Sequence, residues 1–331
     1  MPRKSSIVRR IPCSIGLVTG LVLVAIATPA AAQRMPFERT YQMGANGVLD
    51  VSTARGRIEI VGAETDRVTV TGTATVRIGW NVPANAVEIA KRVAANPPVE
   101  EDGGTLRLRP PSSDEERRAV TIAYRVTVPR GMAVKTDSDS GATTVSGVSG
   151  HVNVRTQSAA IALRDLGGSA EVASGSGAID VSGVGRELRV STGSSAITLR
   201  KLGAGLSART QSGAIRAWFV GEGDVEVETG SSAIDLDGVR GGLTASSSSG
   251  HLRISGTPLS PWRVVSGSGG VDLAFAPDAK MTFDVDSGSG KTYVDGLTIA
   301  GSSTERRIAG TVSGGGALVR VSSRSGSVKI R

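Results

Sequence analysis

A serine recurs on one beat through most of this chain. It falls three residues before an anchor residue, and the anchors are Thr143, Ile161, Ile179, Ile197, Ile215, Ile234, Leu252, Val271, Thr292 and Val328. Steps of 18, 18, 18, 18, 19, 18, 19, 21 and 36 residues separate them, the last about twice the unit. The serines are Ser140, Ser158, Ser176, Ser194, Ser212, Ser231, Ser249, Ser268, Ser289 and Ser325. Five before each anchor stands Ser or Thr, and two before stands Gly, Ala or Ser. Such a register makes self-similarity, rather than any local motif, the first constraint on the fold.

Each unit reads as two halves of about nine residues, each a short strand by its alternation of apolar and polar positions. In "HVNVRTQSAAIALRDLGG", Val152 and Val154 alternate with polar residues, then Ile161 and Leu163 do the same, and Leu166 precedes a glycine pair. A fixed unit places equivalent residues over one another. The expected fold class is therefore all-β: a parallel β-solenoid of about 18 residues per coil, rising ~4.8 Å each time. Only ten aromatics among 331 residues, with 44 glycines, imply a narrow core of Val, Ile, Leu and Ala and many turns. The serine column is expected to line a tight corner, its hydroxyls bonding along the axis as a structural spine.

The register also decides the reading of "SGSGKTYVDG", Ser287 to Gly296, which contains the Gly-Lys-Thr of a phosphate-binding loop. Ser289-Gly290-Lys291-Thr292 occupies the slots of Ser176-Gly177-Ala178-Ile179, so Lys291 replaces a corner alanine. Val285 stands where a phosphate loop needs its first glycine, and "TYVDG" reads as strand and turn rather than helix. No nucleotide is expected.

Residues 1–32 read as a signal peptide. Arg3, Lys4, Arg9 and Arg10 are basic, Ile15 to Ile26 are apolar but short for a membrane span, and Ala30 to Ala32 offer a cleavage site before Gln33. An uncleaved anchor is the alternative. The one cysteine, Cys13, lies inside this leader, so the mature chain has no thiol for a disulfide, catalysis or a metal. Four of the 38 Lys and Arg leave with the leader and none of the 30 Asp and Glu does, which leaves a formal charge of +4. Scattered charge at that level does not describe a nucleic-acid-binding surface. The expected location is exported: periplasmic, outer-surface or extracellular.

Residues 33–130 are expected to hold a first coil and an α+β cap, and residues 131–331 the repeat array. "VLDVSTARGRIEIVG" reads as the first coil, and "DRVTVTGTATVRIGW" as strand. Ala86 to Ala95 reads as a helix capped by Asn85 and stopped at Pro97-Pro98. Thr105 to Arg109 and Ala119 to Pro129 read as strands around a charged loop, Ser112 to Arg118. The segment near Gly301 to Gly316 lacks the serine motif and reads as irregular. The last coil ends at Arg331 without a visible cap, which predicts end-to-end self-association.

The passage "TVPRGMAVKTDSDSGATTVSGVSGHVNVRTQSAAIAL", with Pro129 and Gly131 at its entry, resembles a bacterial family of β-strand-repeat domains of unknown function that carries the label "putative adhesin". The resemblance runs to about Val294, most of the mature chain. It implies an exported solenoid in an adhesive or envelope role. The family brings no catalytic residues to carry over.

Chemistry must then be sought residue by residue. Toxin-type β-rolls share the 18-residue coil but place Asp in every turn for calcium, whereas Asp139 is the only corner acid here. One outward column reads Arg216, Asp235, Arg253, Asp272. Such a column suits a structural charge ladder of alternating sign, or, in a polysaccharide lyase, a catalytic face. His151 and His251 lie coils apart and cannot share a metal, and no G-x-S-x-G accompanies the serines. Trp218 and Trp262 are candidate glycan contacts, with burial under a loop as their structural alternative. The expected function is a non-enzymatic, cofactor-free exported solenoid that meets an envelope or surface component, glycan or protein. A carbohydrate-active β-helix enzyme and an envelope-stress sensor are the alternatives.

Overall fold

Val152 pairs with Ala170, Ala170 with Leu188, Leu188 with Leu206 and Leu206 with Val225, all between parallel strands. On the opposite side of each coil, Thr143, Ile161, Ile179, Ile197, Ile215, Ile234 and Leu252 follow in the same way. Every anchor lies on the anchor of the next coil, so the chain is a parallel β-solenoid. The computed structural model describes residues 33–331, which form one compact unit whose strands all join one continuous hydrogen-bonded sheet. The leader expected at 1–32 lies outside the described residues.

The coil 152–166 shows why this sequence winds as it does. Val152, Val154, Thr156, Ala159, Ile161, Leu163 and Leu166 are buried, while the other residues of the coil are exposed or half-buried. The two strands of one coil face each other across a single layer of side chains, which leaves room for aliphatic groups and little more. Each such residue contributes about 1.5–3 kcal/mol of burial. Aromatic rings that pack on one another are found instead where the coil widens or ends. Phe37 meets Tyr124 edge-on at 6.3 Å, and Trp262, Phe275 and Phe283 form a cluster with centroids 5.5 and 5.6 Å apart.

At the corner, the structure moves the spine by two residues. All ten serines of the expected column are exposed. Their backbones carry the stack, as where the Ser158 and Ser176 N–H groups each donate at 2.9 Å to the Asp139 and Gln157 carbonyls of the preceding coil. The buried hydroxyls are those five before the anchor: Ser138, Thr156, Ser174, Thr192, Thr210, Thr229 and Ser247. The serine side chain turns outward because the strand has ended and its pleat no longer aims it at the core.

These buried hydroxyls alternate in role. Ser138, Ser174, Thr210 and Ser247 accept the N–H of Gly141, Gly177, Gly213 and Gly250 at 2.8–3.0 Å. On intervening coils Thr156 donates to the Ala159 carbonyl at 2.9 Å, and Thr229 to the Gly213 carbonyl at 3.0 Å. With its one proton on Ala159, the Thr156 hydroxyl accepts from Ser174 Oγ at 3.1 Å. The carbonyls of Ala159 and Ser195 point along the axis at the next coil. A Cβ on Gly177 would lie 1.8 Å from the Ala159 oxygen, and one on Gly213 1.7 Å from the Ser195 oxygen. The series Gly141, Ala159, Gly177, Ser195, Gly213, Ser232, Gly250 is therefore a two-coil repeat laid over the one-coil repeat. Thr192 is the exception, its buried hydroxyl having no partner.

Stacking order departs from chain order at both ends. The coil 48–63 is first in the chain but lies between two others. Val48–Thr53 pairs with Ala133–Ser138 on one side and Thr105–Leu108 on the other, and Ile58–Ala63 sits between Thr143–Ser146 and Val120–Pro129. At the far end Ala317–Ser323 pairs with Leu252–Ser266 and Met281–Asp286, and Val328–Ile330 sits between Val271–Phe275 and Thr292–Val294. Val328 thus stacks directly between Val271 and Thr292, which accounts for its step of 36. Arg331 closes an interior coil. The outermost coil, 281–294, is covered by the antiparallel strand Arg307–Val312, which pairs with Ala300–Ser303. The segment that lacked the serine motif is this cap, and the bare end on which self-association was expected does not exist there.

The N-terminal end is capped likewise. Arg67–Val76 lies antiparallel on Val120–Pro129, and Arg34–Gln42 antiparallel on Arg67–Val76. Helix α1, Ala86–Ala95, buries Ile89, Ala90 and Val93. Asn85 does not cap it through its side chain, which donates to Glu115 at 3.3 Å. The expected loop at 112–118 contains a short helix α2, Asp114–Ala119, because Ser113 and Glu116 close a capping box. The strand expected to run to Trp80 stops at Val76, and Gly79, Asn81 and Pro83 turn the chain beyond it. Asp50 receives Arg109 at 2.9 Å, and this bond holds its carboxyl below the usual carboxylate range. The Tyr124 hydroxyl donates to the Arg109 carbonyl at 3.0 Å, and burial pushes its pKa up.

Candidate functional site

The outward column of charges becomes continuous once the coils are stacked. Arg216 lies beside Asp235, Asp235 beside Arg253, Arg253 beside Asp272, and Asp272 beside Lys329, which the sequence order had hidden. Asp235 receives Arg216 at 3.6 Å and Arg253 at 3.3 Å, and Asp272 meets His251 Nε2 at 3.0 Å. The pairs are half exposed, so each stabilises the fold by about 0–1 kcal/mol. Their alignment follows from the parallel register, which sets equal positions ~4.8 Å apart and makes opposite signs the favourable choice.

Two residues further along each strand runs a second outward row. Trp218 is 38% exposed there, with the Arg200 guanidinium 5.6 Å over its ring. Asp237 on the next coil accepts a hydrogen bond from Ser255 on the one after. Arg216, Trp218, Asp235, Asp237, Asp272 and Arg331 together line an open cleft of about 410 Å³. Arg331 is held at its edge because its N–H donates to the Leu273 carbonyl at 3.0 Å and its carbonyl accepts from Phe275 at 2.9 Å. One aromatic face flanked by carboxylates and guanidinium groups can stack on a sugar ring or a planar side chain and bond the groups around it.

Of the two tryptophans expected to meet a ligand, the structure places only Trp218 at the surface. Trp262 is 1% exposed, donates its indole N–H to the Gly241 carbonyl at 2.9 Å and packs on Phe275. It fills the lengthened coil and offers no face to a glycan. Asp237, Ser255 and Arg331 were missed in the sequence. The first two stand two residues beyond the ladder on the same strands and could have been read from the alternation. Arg331 could not, since its neighbours come from 56 to 58 residues earlier in the chain.

His151 Nδ1 lies 2.9 Å from Ser169 Oγ, the nearest approach to a nucleophile and base. No carboxylate lies within 4 Å of the His151 ring among the described residues, and the pair stands just before the strands Val152–Thr156 and Ala170–Ser174, outside the lining of the cleft. Among the described residues, no carboxylate orients the ring as a third group does in acyl transfer. Lys291 in the phosphate-loop look-alike meets Glu305 at 3.9 Å, and Thr292 opens the strand Thr292–Val294 rather than a helix. Among the described residues, no three His, Cys, Asp or Glu side chains gather closely enough to hold a metal ion.

Residues 187–331, the C-terminal part of the array, match the family model Toastrack DUF4097, a domain of unknown function. Two solved structures are similar. A "putative adhesin" from Bacteroides fragilis NCTC 9343 is 13% identical, with 89% of this chain and 97% of that one covered and a TM-score of 0.33. A "putative cell adhesion protein" from Clostridium sporogenes ATCC 15579 is 8% identical, with 89% and 98% covered and a TM-score of 0.16. Among curated proteins, none matches this chain.

Proposed function

We propose that the protein is an exported, non-enzymatic β-solenoid that adheres to a polymer of the cell envelope or surface through the cleft around Trp218. The observation that carries this reading is the row structure of that face. Parallel coils repeat a side-chain position every ~4.8 Å along a straight axis, so an extended chain, glycan or polypeptide, can meet the same chemistry at successive steps. Trp218 supplies the one large apolar contact, and Arg216, Asp235, Asp237, Asp272 and Arg331 supply directional bonds around it. Export rests on the basic and apolar leader at 1–32. The ladder charges pair with one another across coils, which suits a rigid binding face better than a set of groups freed for proton transfer.

The test is retention of the chain from Gln33 on insoluble cell-wall and outer-surface material, and on a panel of soluble acidic and neutral glycans. Trp218→Ala is expected to weaken retention about tenfold, of the order seen when a central aromatic contact is removed. Retention on none of these materials, or retention unaffected by Trp218→Ala, overturns the reading. Release of unsaturated sugar products from acidic polysaccharides would replace it with a lyase.

A further inference from the structure

The most exposed apolar group in the described structure is far from the Trp218 cleft. Trp80 is 105% exposed and Ile78 76%, on the turn between Arg67–Val76 and α1. Nothing lies within 4 Å of a Cβ built on Gly79 between them, so the turn stands clear of the fold. Arg77 and Arg118 line its base. The same two arginines, with Arg55 and Arg117, rim a neighbouring cavity of about 300 Å³ whose floor is Pro110, Pro111, Val120 and Ile122. Arg117 is occupied by Asp114 at 2.5 Å. Arg55, Arg77 and Arg118 have no carboxylate within 4 Å among the described residues, and residues 1–32 contain no acid. Of the nearby acids, Glu115 bonds Asn85 and Glu116 bonds Arg92.

We infer that this end of the solenoid docks on an anionic lipid bilayer, with Ile78 and Trp80 entering the interface and Arg55, Arg77 and Arg118 meeting lipid phosphates. Trp is the side chain most at home at a membrane–water boundary, where its ring is buried and its N–H stays wet. Guanidinium groups bind phosphate bidentately, and a cluster of them gathers anionic lipid. A small convex wedge fits a fluid interface, whereas a protein partner calls for a broad complementary face.

The course of the chain points to the same occupant. The Val76 N–H donates to the Gln33 carbonyl at 3.0 Å, so the described chain begins one residue from the base of this turn. Ile26, the last residue of the apolar run in the leader, is seven residues before Gln33. At full extension that length spans at most about 25 Å. Until it is cleaved, a leader lodged in a membrane would hold this end, and not the Trp218 cleft, within that distance of the bilayer.

The experiment uses the chain from Gln33, which contains the whole of the folded unit and lacks the apolar leader. Its co-sedimentation with phosphatidylglycerol–phosphatidylcholine vesicles is compared with phosphatidylcholine vesicles alone, at low and high salt. Binding to the anionic vesicles is expected, at least about fivefold weaker without phosphatidylglycerol or at high salt. Quenching of tryptophan emission by brominated lipid is expected in the parent chain and absent in Trp80→Ala, with Trp218 and Trp262 still present. The Ile78→Ser, Trp80→Ala double variant should lose about tenfold in vesicle binding while its unfolding temperature holds, since neither side chain contributes to the core. Arg55→Gln, Arg77→Gln and Arg118→Gln together should abolish the preference for anionic lipid. Indifference of the parent chain to anionic vesicles overturns the inference. Equal binding by the double variant overturns it as well. Because Trp218 is untouched throughout, failure here leaves the envelope-polymer reading standing, and the reverse also holds.

Discussion

The middle of the molecule and its two ends obey different rules. Between residues 133 and 254 the chain winds in order, each coil lies on the one before, and the paired strand residues have counterparts 17 to 19 residues away. At both ends the winding skips one slot, builds an outer coil, and has a terminal segment fill the slot from outside. Residues 48–63 do this at one end and 317–330 at the other. The middle shows how a repeat is kept open to extension. The ends show how it is stopped: antiparallel strands on the outermost coils present the wrong polarity for another coil, and the inserted segments tie distant parts of the chain together. Ring-on-ring packing follows the same division, with mostly aliphatic residues in the regular coils, Phe219 aside, and the Phe37–Tyr124 and Trp262–Phe275–Phe283 contacts at the ends.

The largest expected effect breaks the middle. Gly177→Val should cost more than about 4 kcal/mol or prevent folding, because its Cβ would overlap the Ala159 carbonyl. Ala159→Gly, one coil away in the equivalent slot, should cost about 0.5–1 kcal/mol. Chemical denaturation of the two variants measures the asymmetry, and equal costs would mean that the two-coil repeat has no energetic basis. At the widened end, Trp262→Ala should cost about 3–5 kcal/mol by leaving a cavity beside Phe275 and an unpaired Gly241 carbonyl.

Deletions separate the one-coil from the two-coil period. Removing residues 177–212 brings Gly213 onto Ala159, a Gly-on-Ala corner as before, and should cost little beyond the lost burial. Removing only 177–194 brings Ser195 onto Ala159, and its Cβ then faces a carbonyl, so this shorter deletion should be the less stable by about 1–3 kcal/mol. Thermal unfolding ranks the pair.

A smaller effect sharpens the description of the N-terminal end. The Arg109 hydrogen bond depresses the Asp50 pKa, so its contribution is present above the unfolded-state pKa near 3.9 and is lost as pH falls through the lower folded value. Asp50→Asn should therefore be less stable than the parent at neutral pH, and the gap should close in acid below about pH 4. A gap that widens in acid would contradict the assignment. Smallest of all, Asp235→Asn in the exposed ladder should change stability by about 0–1 kcal/mol.

Much of the middle was legible because a repeat lets one coil predict the next. Thr143 through Val271 fall into one file, and the Arg216–Asp235–Arg253–Asp272 column lies on one outward face. The choice of spine was harder, since Ser140 and Ser138 both recur in register. Only the end of the strand pleat decides which of the two hydroxyls turns inward. The cleft was half legible: Trp218 could be aimed outward by alternation, whereas Trp262 could be placed only once the lengthened coil around it was known. Trp80 was misread with the strand before it, because an apolar residue near a strand end carries no mark that its pleat has stopped.

By itself, then, the amino-acid order determined the winding: the coil length, the inward aliphatic file, the corner of small residues and the reading of Lys291 as a corner substitute. Those follow from local alternation repeated at a fixed interval, which every copy restates. Tertiary structure alone decided the insertion of 48–63 and 317–330 into their slots, the alternation of corner carbonyls that demands Gly177 but accepts Ala159, and the joining of Arg331 to Trp218. Each of these depends on which coil lies above which. That is a contact between segments distant in the chain, and no periodicity within one coil encodes it.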